Sequence, residues 1–162
     1  MKKKIVVCSM LLFVFALAQS FSLGIGLRGS GGYPYYGGGL LISPGDDPSA
    51  GWNFGVNYYA GTTSFHVGVT GDYGLLEKTI TSVGKGELDF YLGAGFFAYA
   101  NMDNDDHFGF GLGGRVPIGV DLNFKVVDLY VEVAPQIGIN FLPSIGLGGD
   151  WFNAAIGFRF WF

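Results

Sequence analysis

Apolar and polar residues exchange places at every second position through segment after segment of this chain, and that period leaves few folds open. At the start of the regular pattern, Phe21, Leu23, Ile25 and Leu27 fall on one face of an extended strand, while Ser22, Gly24, Gly26, Arg28 and Ser30 fall on the other. A helix of 3.6 residues per turn would mix the two sets. The 29 glycines among 162 residues oppose helix further, so everything after the N-terminal segment is expected to be almost all β.

Eight such segments can be traced. The first is followed by the turn-like Gly31-Gly32-Tyr33-Pro34, a thinner second strand from Tyr36 to Ile42, and loop-type residues from Ser43 to Gly51. The third runs Gly51 to Ala60 and leads through Gly61-Thr62 into a fourth carrying Phe65, Val67, Val69 and Tyr73 opposite Ser64, His66, Gly68, Thr70 and Asp72. The fifth spans Gly86 to Ala100, the sixth Phe108 to Leu122, and the seventh begins at Val127 and reaches Asn140, with Pro135 marking an edge or rim irregularity. The last covers Trp151 to Phe162. If the second segment is not a full strand, six strands is the alternative count.

The first 18 residues read as a cleavable export signal. Lys2, Lys3 and Lys4 precede an apolar run from Ile5 to Phe15, and Ala16-Leu17-Ala18 offers small residues for cleavage before Gln19. That run is shorter than the ~20 residues a spanning helix needs. Residues 19–162 then form one domain. Its only cysteine, Cys8, leaves with the signal, which excludes a disulfide, a thiolate metal site and a cysteine nucleophile together. Removing three lysines from nine basic residues leaves six against thirteen acids, a net charge of about −7, and argues against a nucleic-acid partner.

A soluble barrel alternates as well, but with its apolar side inside. Composition separates the two cases. The polar face here is rich in glycine, which stabilises a water-exposed strand poorly, and it is nearly free of lysine. Enclosed in a narrow tube, the same glycines leave room for a few large side chains. All three arginines outside the signal, Arg28, Arg115 and Arg159, lie on that face with Asp72, Glu87, Asp89, Asp121, Asp128 and Glu132, and enclosed guanidiniums require partners, so an internal ion-pair network is expected. The opposite face is rich in Phe, Leu, Val and Ile, and only a closed sheet can carry it into a bilayer. The expected fold is all-β, an eight-stranded antiparallel up-and-down transmembrane barrel with a polar lumen filled by side chains. Tyr33, Tyr35, Tyr36, Trp52, Tyr58, Trp151 and Trp161 lie near segment ends, where interfacial aromatic girdles belong. An even count puts both termini on the periplasmic side. Gly31 to Tyr35, Gly61 to Thr63, Asn101 to His107 and Leu142 to Asp150 would face outward; Ser43 to Ala50, Leu75 to Lys85 and Asn123 to Val126 would be periplasmic connections.

The pattern as a whole, and the ending Phe158-Arg-Phe-Trp-Phe162 in particular, resembles the small OmpA/OmpX/OmpW-type outer-membrane barrels of diderm bacteria. The runs Gly114-Arg-Val-Pro-Ile-Gly119, Tyr130-Val-Glu-Val-Ala-Pro135 and Ala155-Ile-Gly-Phe-Arg159 look more narrowly like a group of small barrels with no assigned activity. The resemblance covers essentially all of the chain after the signal. It implies an outer-membrane location, contact with membrane lipids, and insertion by the BAM assembly machinery through a terminal signal made of Phe158, Phe160 and Phe162. It supplies no catalytic site.

Ser64 and His66 share a face, and with Asp72 or Glu87 they invite a lipid-acting hydrolase. However, strand neighbours two apart rarely reach each other, and no Gly-x-Ser-x-Gly elbow is present. Asn101-Met-Asp-Asn-Asp-Asp-His107 lacks the spacing of a calcium loop, and Gly109-Phe-Gly-Leu-Gly-Gly-Arg115 continues a strand where a phosphate loop would open a helix. No catalytic residue, metal or cofactor is therefore expected. The reading is a monomeric barrel with a structural or surface-interaction role, meeting an unknown extracellular ligand through its loops. A narrow pore and a lipid-modifying enzyme are the alternatives.

Overall fold

The computed structural model describes residues 22–32, 35–45, 51–60, 64–103, 107–148 and 151–162. The expected export signal (1–18) lies outside the described residues. So do the turn positions 33–34 and 61–63 and parts of the expected loops at 46–50, 104–106 and 149–150.

Among the described residues ten strands form: β1 (Leu23–Gly32), β2 (Tyr35–Pro44), β3 (Trp52–Ala60), β4 (Ser64–Val83), β5 (Gly86–Asp103), β6 (Phe108–Arg115), β7 (Ile118–Asn123), β8 (Val127–Leu142), β9 (Gly146–Gly148) and β10 (Phe152–Trp161). Every pairing is antiparallel. β6 and β7 are two halves of one span, because both pair with β5 on one side and β8 on the other. β10 pairs with β8 and with β1, so the pairings run round an eight-span ring, as expected for eight strands and not six.

Register fixes the tilt. Starting at Asp89, the directly opposed residues are Asp121, Tyr130, Gly157, Arg28, Gly39, Asn57, Gly68 and then Tyr99, which is back on β5 ten residues along. A stagger of ten across eight strands, at ~3.3 Å per residue and ~4.8 Å between strands, needs a tilt of about 40°.

Five boundaries depart from the sequence reading. The expected sixth strand, Phe108 to Leu122, is interrupted at Val116 and Pro117, because Pro117 has no N–H to give to the ladder; its carbonyl instead accepts from Gly93 N at 2.8 Å. Leu75 to Lys85 is not a connection. β4 continues to Val83 and turns tightly through Gly84, whose φ of 65° suits glycine, into β5. Two register shifts, at Gly74/Leu76 and Thr79/Thr81, break the alternation there and made the segment look irregular. β2 runs on to Pro44, so Ser43 belongs to the strand. Asn101 to Asp103 extend β5, and the stretch from Leu142 includes β9 paired to β8.

The two faces differ as alternation requires. Leu27, Leu40, Val56, Val67, Leu112, Val131 and Ile156 are exposed on the outside, whereas Arg28, Asp72, Arg115, Asp121, Asp128 and Arg159 are buried within. Tyr36, Trp52, Tyr58 and Trp151 stand exposed near strand ends. Trp161 does not join that girdle: its ring lies inside over Arg159, 5.7 Å from the guanidinium carbon.

Candidate functional site

The lumen is built from the inward positions of the eight spans, and glycine decides where it can hold large groups. A Cβ on Gly157 would stand 2.6 Å from Tyr130 Oη, and one on Gly119 would stand 2.6 Å from Tyr91 Oη. A Cβ on Gly55 would reach 3.4 Å from Arg28 Nη1, and one on Gly113 would meet Phe97 Cε1 at 2.7 Å. At Gly157, Gly119 and Gly113 the backbone of the neighbouring strand crowds the same Cβ position, and at Gly55 Thr70 Oγ1 does, so the glycines admit both the close strand approach and the long side chains.

At the end where β1 begins and β10 ends, Arg159 is the hub. It faces Asp128 in register, and its Nε lies 3.0 Å from that carboxylate. Nη2 is 3.7 Å from Asp121 Oδ2, and Nη1 donates to Asn53 Oδ1 at 2.8 Å and to Ser43 Oγ at 3.4 Å. The Tyr130 ring covers the guanidinium at 5.1 Å, and Trp161 Nε1 donates to Asp128 Oδ2 at 2.9 Å. Asp89 is buried directly opposite Asp121.

Midway along the tube Arg115 donates through Nη2 to Glu132 Oε1, and its Nε lies 3.4 Å from Asp72 Oδ1. Tyr91 OH donates to Glu132 Oε2 at 3.2 Å. Arg28 Nη2 donates to Asn153 Oδ1 at 3.5 Å and feels the charges of Glu132 and Asp72. Two guanidiniums thus face two carboxylates, and a pocket of about 30 Å³ lies between this level and the Arg159 level.

Eight of the nine charged residues singled out on the polar face are therefore buried in the lumen. Glu87 is the correction: it is exposed, opposite Ser82 and Asn123, at the rim where β5 begins and β7 ends. Alternation reports which face a residue takes but not its height, and Glu87 falls past the rim. Tyr91, Tyr130, Trp161, Asn53 and Ser43 belong to the same networks and were not named as partners. Their polar-face positions were the only available signal.

Toward the opposite end a cavity of about 300 Å³ opens. Arg115 forms part of its floor; Asn57, Gln136, Asn140 and Asn153 supply amides, and Tyr59, His66, Phe97 and Tyr99 supply rings. Tyr99 stacks between His66 (5.8 Å between centroids) and Phe97 (6.2 Å), and its hydroxyl donates to Asn140 Oδ1.

The hydrolase constellation does not assemble. Asp72, paired with Arg115, lies six residues along β4 from His66, ~20 Å in an extended strand, and Glu87 is at the far rim. The Ser64 side chain lies outside the described residues. Among the described residues no three His, Cys, Asp or Glu side chains gather as a metal site. At the C-terminus Phe160 and Phe162 are exposed on the outer face, and Phe158 packs edge-on against Phe160.

No family model matches the chain, and no curated protein matches it. Among solved structures it is similar to the N-terminal β-barrel domain of Pseudomonas aeruginosa OprF, at 19% identity and a TM-score of 0.54, with 87% of this chain and 97% of that one covered. The likeness is one of fold.

Proposed function

We propose that the chain is an integral outer-membrane barrel with a structural or surface-contact role, monomeric, non-enzymatic and closed to free passage of solutes. One observation carries this reading: burial is inverted relative to a water-soluble protein. The interior holds paired arginines and carboxylates, and the exterior exposes a continuous Leu, Val, Ile and Phe surface far larger than the patch a soluble monomer tolerates. Acyl chains are the solvent that suits such a face, and the shared fold with the OprF barrel supports the same environment. On this reading Phe158, Phe160 and Phe162 engage the BAM machinery during insertion, and the outer loops meet the extracellular partner.

Expression of the full chain in a diderm host, followed by membrane fractionation and gel electrophoresis with and without boiling, tests the proposal. An outer-membrane band whose mobility shifts on heating is expected; a freely soluble product would overturn the reading. In planar bilayers the purified barrel should show no steady conductance, and a stable open channel would replace the structural role with that of a pore.

A further inference from the structure

The upper cavity is a space in the lumen that the ion pairs leave empty. We propose that it binds a neutral, hydroxyl-rich ring of monosaccharide size. Its volume of about 300 Å³ is at the lower end of the ~300–1,000 Å³ typical of small-molecule sites. Two of its lining residues carry polar atoms without partners among the described residues: both amide atoms of Asn57, which is 1% exposed, and Oγ1 of Thr70, which is 7% exposed. Buried amides and hydroxyls of this kind are almost always hydrogen-bonded in a finished structure, which favours a polar occupant over an apolar one beside them.

The lining narrows its chemistry. An amide side chain offers donors and an acceptor from one group, which matches hydroxyls that both give and accept, and Asn57, Gln136, Asn140 and Asn153 surround the space with such pairs. Tyr59, Phe97 and Tyr99 add flat apolar surface for the C–H face of a ring. Charge argues for neutrality. Arg115, the cation on the floor, is already held by Glu132 and Asp72, so a phosphate or carboxylate would gain no free counter-charge. An acyl chain would leave the amides unpaired.

The inference stands on the lumen alone and does not depend on the membrane in which the barrel sits. Its test is saturation-transfer NMR on the full barrel, refolded in a detergent without sugar headgroups, with glucose, N-acetylglucosamine and glucuronate as probes. The neutral sugars should receive saturation, and Tyr99→Ala and Asn57→Leu should each weaken binding at least tenfold, whereas glucuronate should bind no better than glucose. Thr70→Val, which removes an oxygen with no partner among the described residues, keeps the test valid if the first two variants fail to fold, and should also weaken binding. A free monosaccharide binding as well as the same sugar at the end of a lipid-linked glycan marks a solute ligand; tighter binding of the glycan marks a surface ligand. No transfer from any neutral sugar, equal binding in every folded variant, or preference for glucuronate would overturn the proposal.

Discussion

The two halves of the lumen solve the same packing problem in opposite ways. Where β1 begins and β10 ends, Arg159 is surrounded by Asp121, Asp128, Asn53, Ser43, Tyr130 and Trp161, and the pocket beside it holds about 30 Å³. Toward the other end, amides and rings line a cavity of about 300 Å³, with Asn57 and Thr70 unsatisfied by described neighbours. Both halves use glycine-rich strands of the same ring. The difference lies in what is placed in the space glycine makes: one arginine among three buried aspartates fills one half, while amides and rings leave the other able to receive something.

The strongest way to break this contrast is to unmatch the lower half. Arg159→Leu strands Asp128 and Asp121 in a closed interior, and removing one partner of a buried pair costs about 3–5 kcal/mol. The temperature at which the folded band converts on gels should fall by far more than for any other lumen variant. Adding Asp128→Leu should recover part of that loss, because an apolar pair needs no counter-charge. Strictly additive losses would mean the two residues are not coupled.

Arg115→Met should cost less, about 1.5–3 kcal/mol, because Arg28 remains in the field of Glu132 and Asp72. Denaturant unfolding in micelles measures it. A loss equal to that of Arg159→Leu would show that Arg28 does not share those carboxylates.

Glycine gives the next step down. Gly119→Ala would press on Tyr91, the donor to Glu132, and should cost about 1–3 kcal/mol. Gly114→Ala is the control, because its Cβ points outward and meets nothing nearer than Gly95 O at 3.9 Å; there the reduced freedom of the unfolded chain should make the change neutral or slightly stabilising. Equal effects at the two sites would detach the lumen glycines from the side chains they accommodate.

How much of this could be read from the chain alone follows from the same geometry. A period of two assigns each residue to a face, so Arg28, Arg115 and Arg159 could be placed inside with their acids before any fold was known. Who pairs with whom depends on register, and the stagger of ten is a property of the closed ring that no single strand encodes. That is why Glu87 was placed in the lumen and Trp161 in the girdle. The second strand was thin in sequence because Gly37, Gly38 and Gly39 interrupt its alternation, yet it pairs fully with β1 and β3. The cavity was not legible at all, since an absence of volume has no residue to mark it.

The smallest expected effect is the most informative about the upper half. Thr70→Val replaces a hydroxyl that has no described partner by a methyl of nearly the same size. Burying an unpaired hydroxyl is unfavourable, so its removal should leave stability within about 0.5 kcal/mol of the parent or raise it slightly, which thermal unfolding of the micellar barrel can resolve. If the change instead costs as much as Arg115→Met, the hydroxyl is engaged in the empty protein, and the upper half is as tightly committed as the lower. A neutral result leaves the hydroxyl idle in the folded barrel. Loss of sugar binding in the same variant would then assign that group to the ligand and not to the fold.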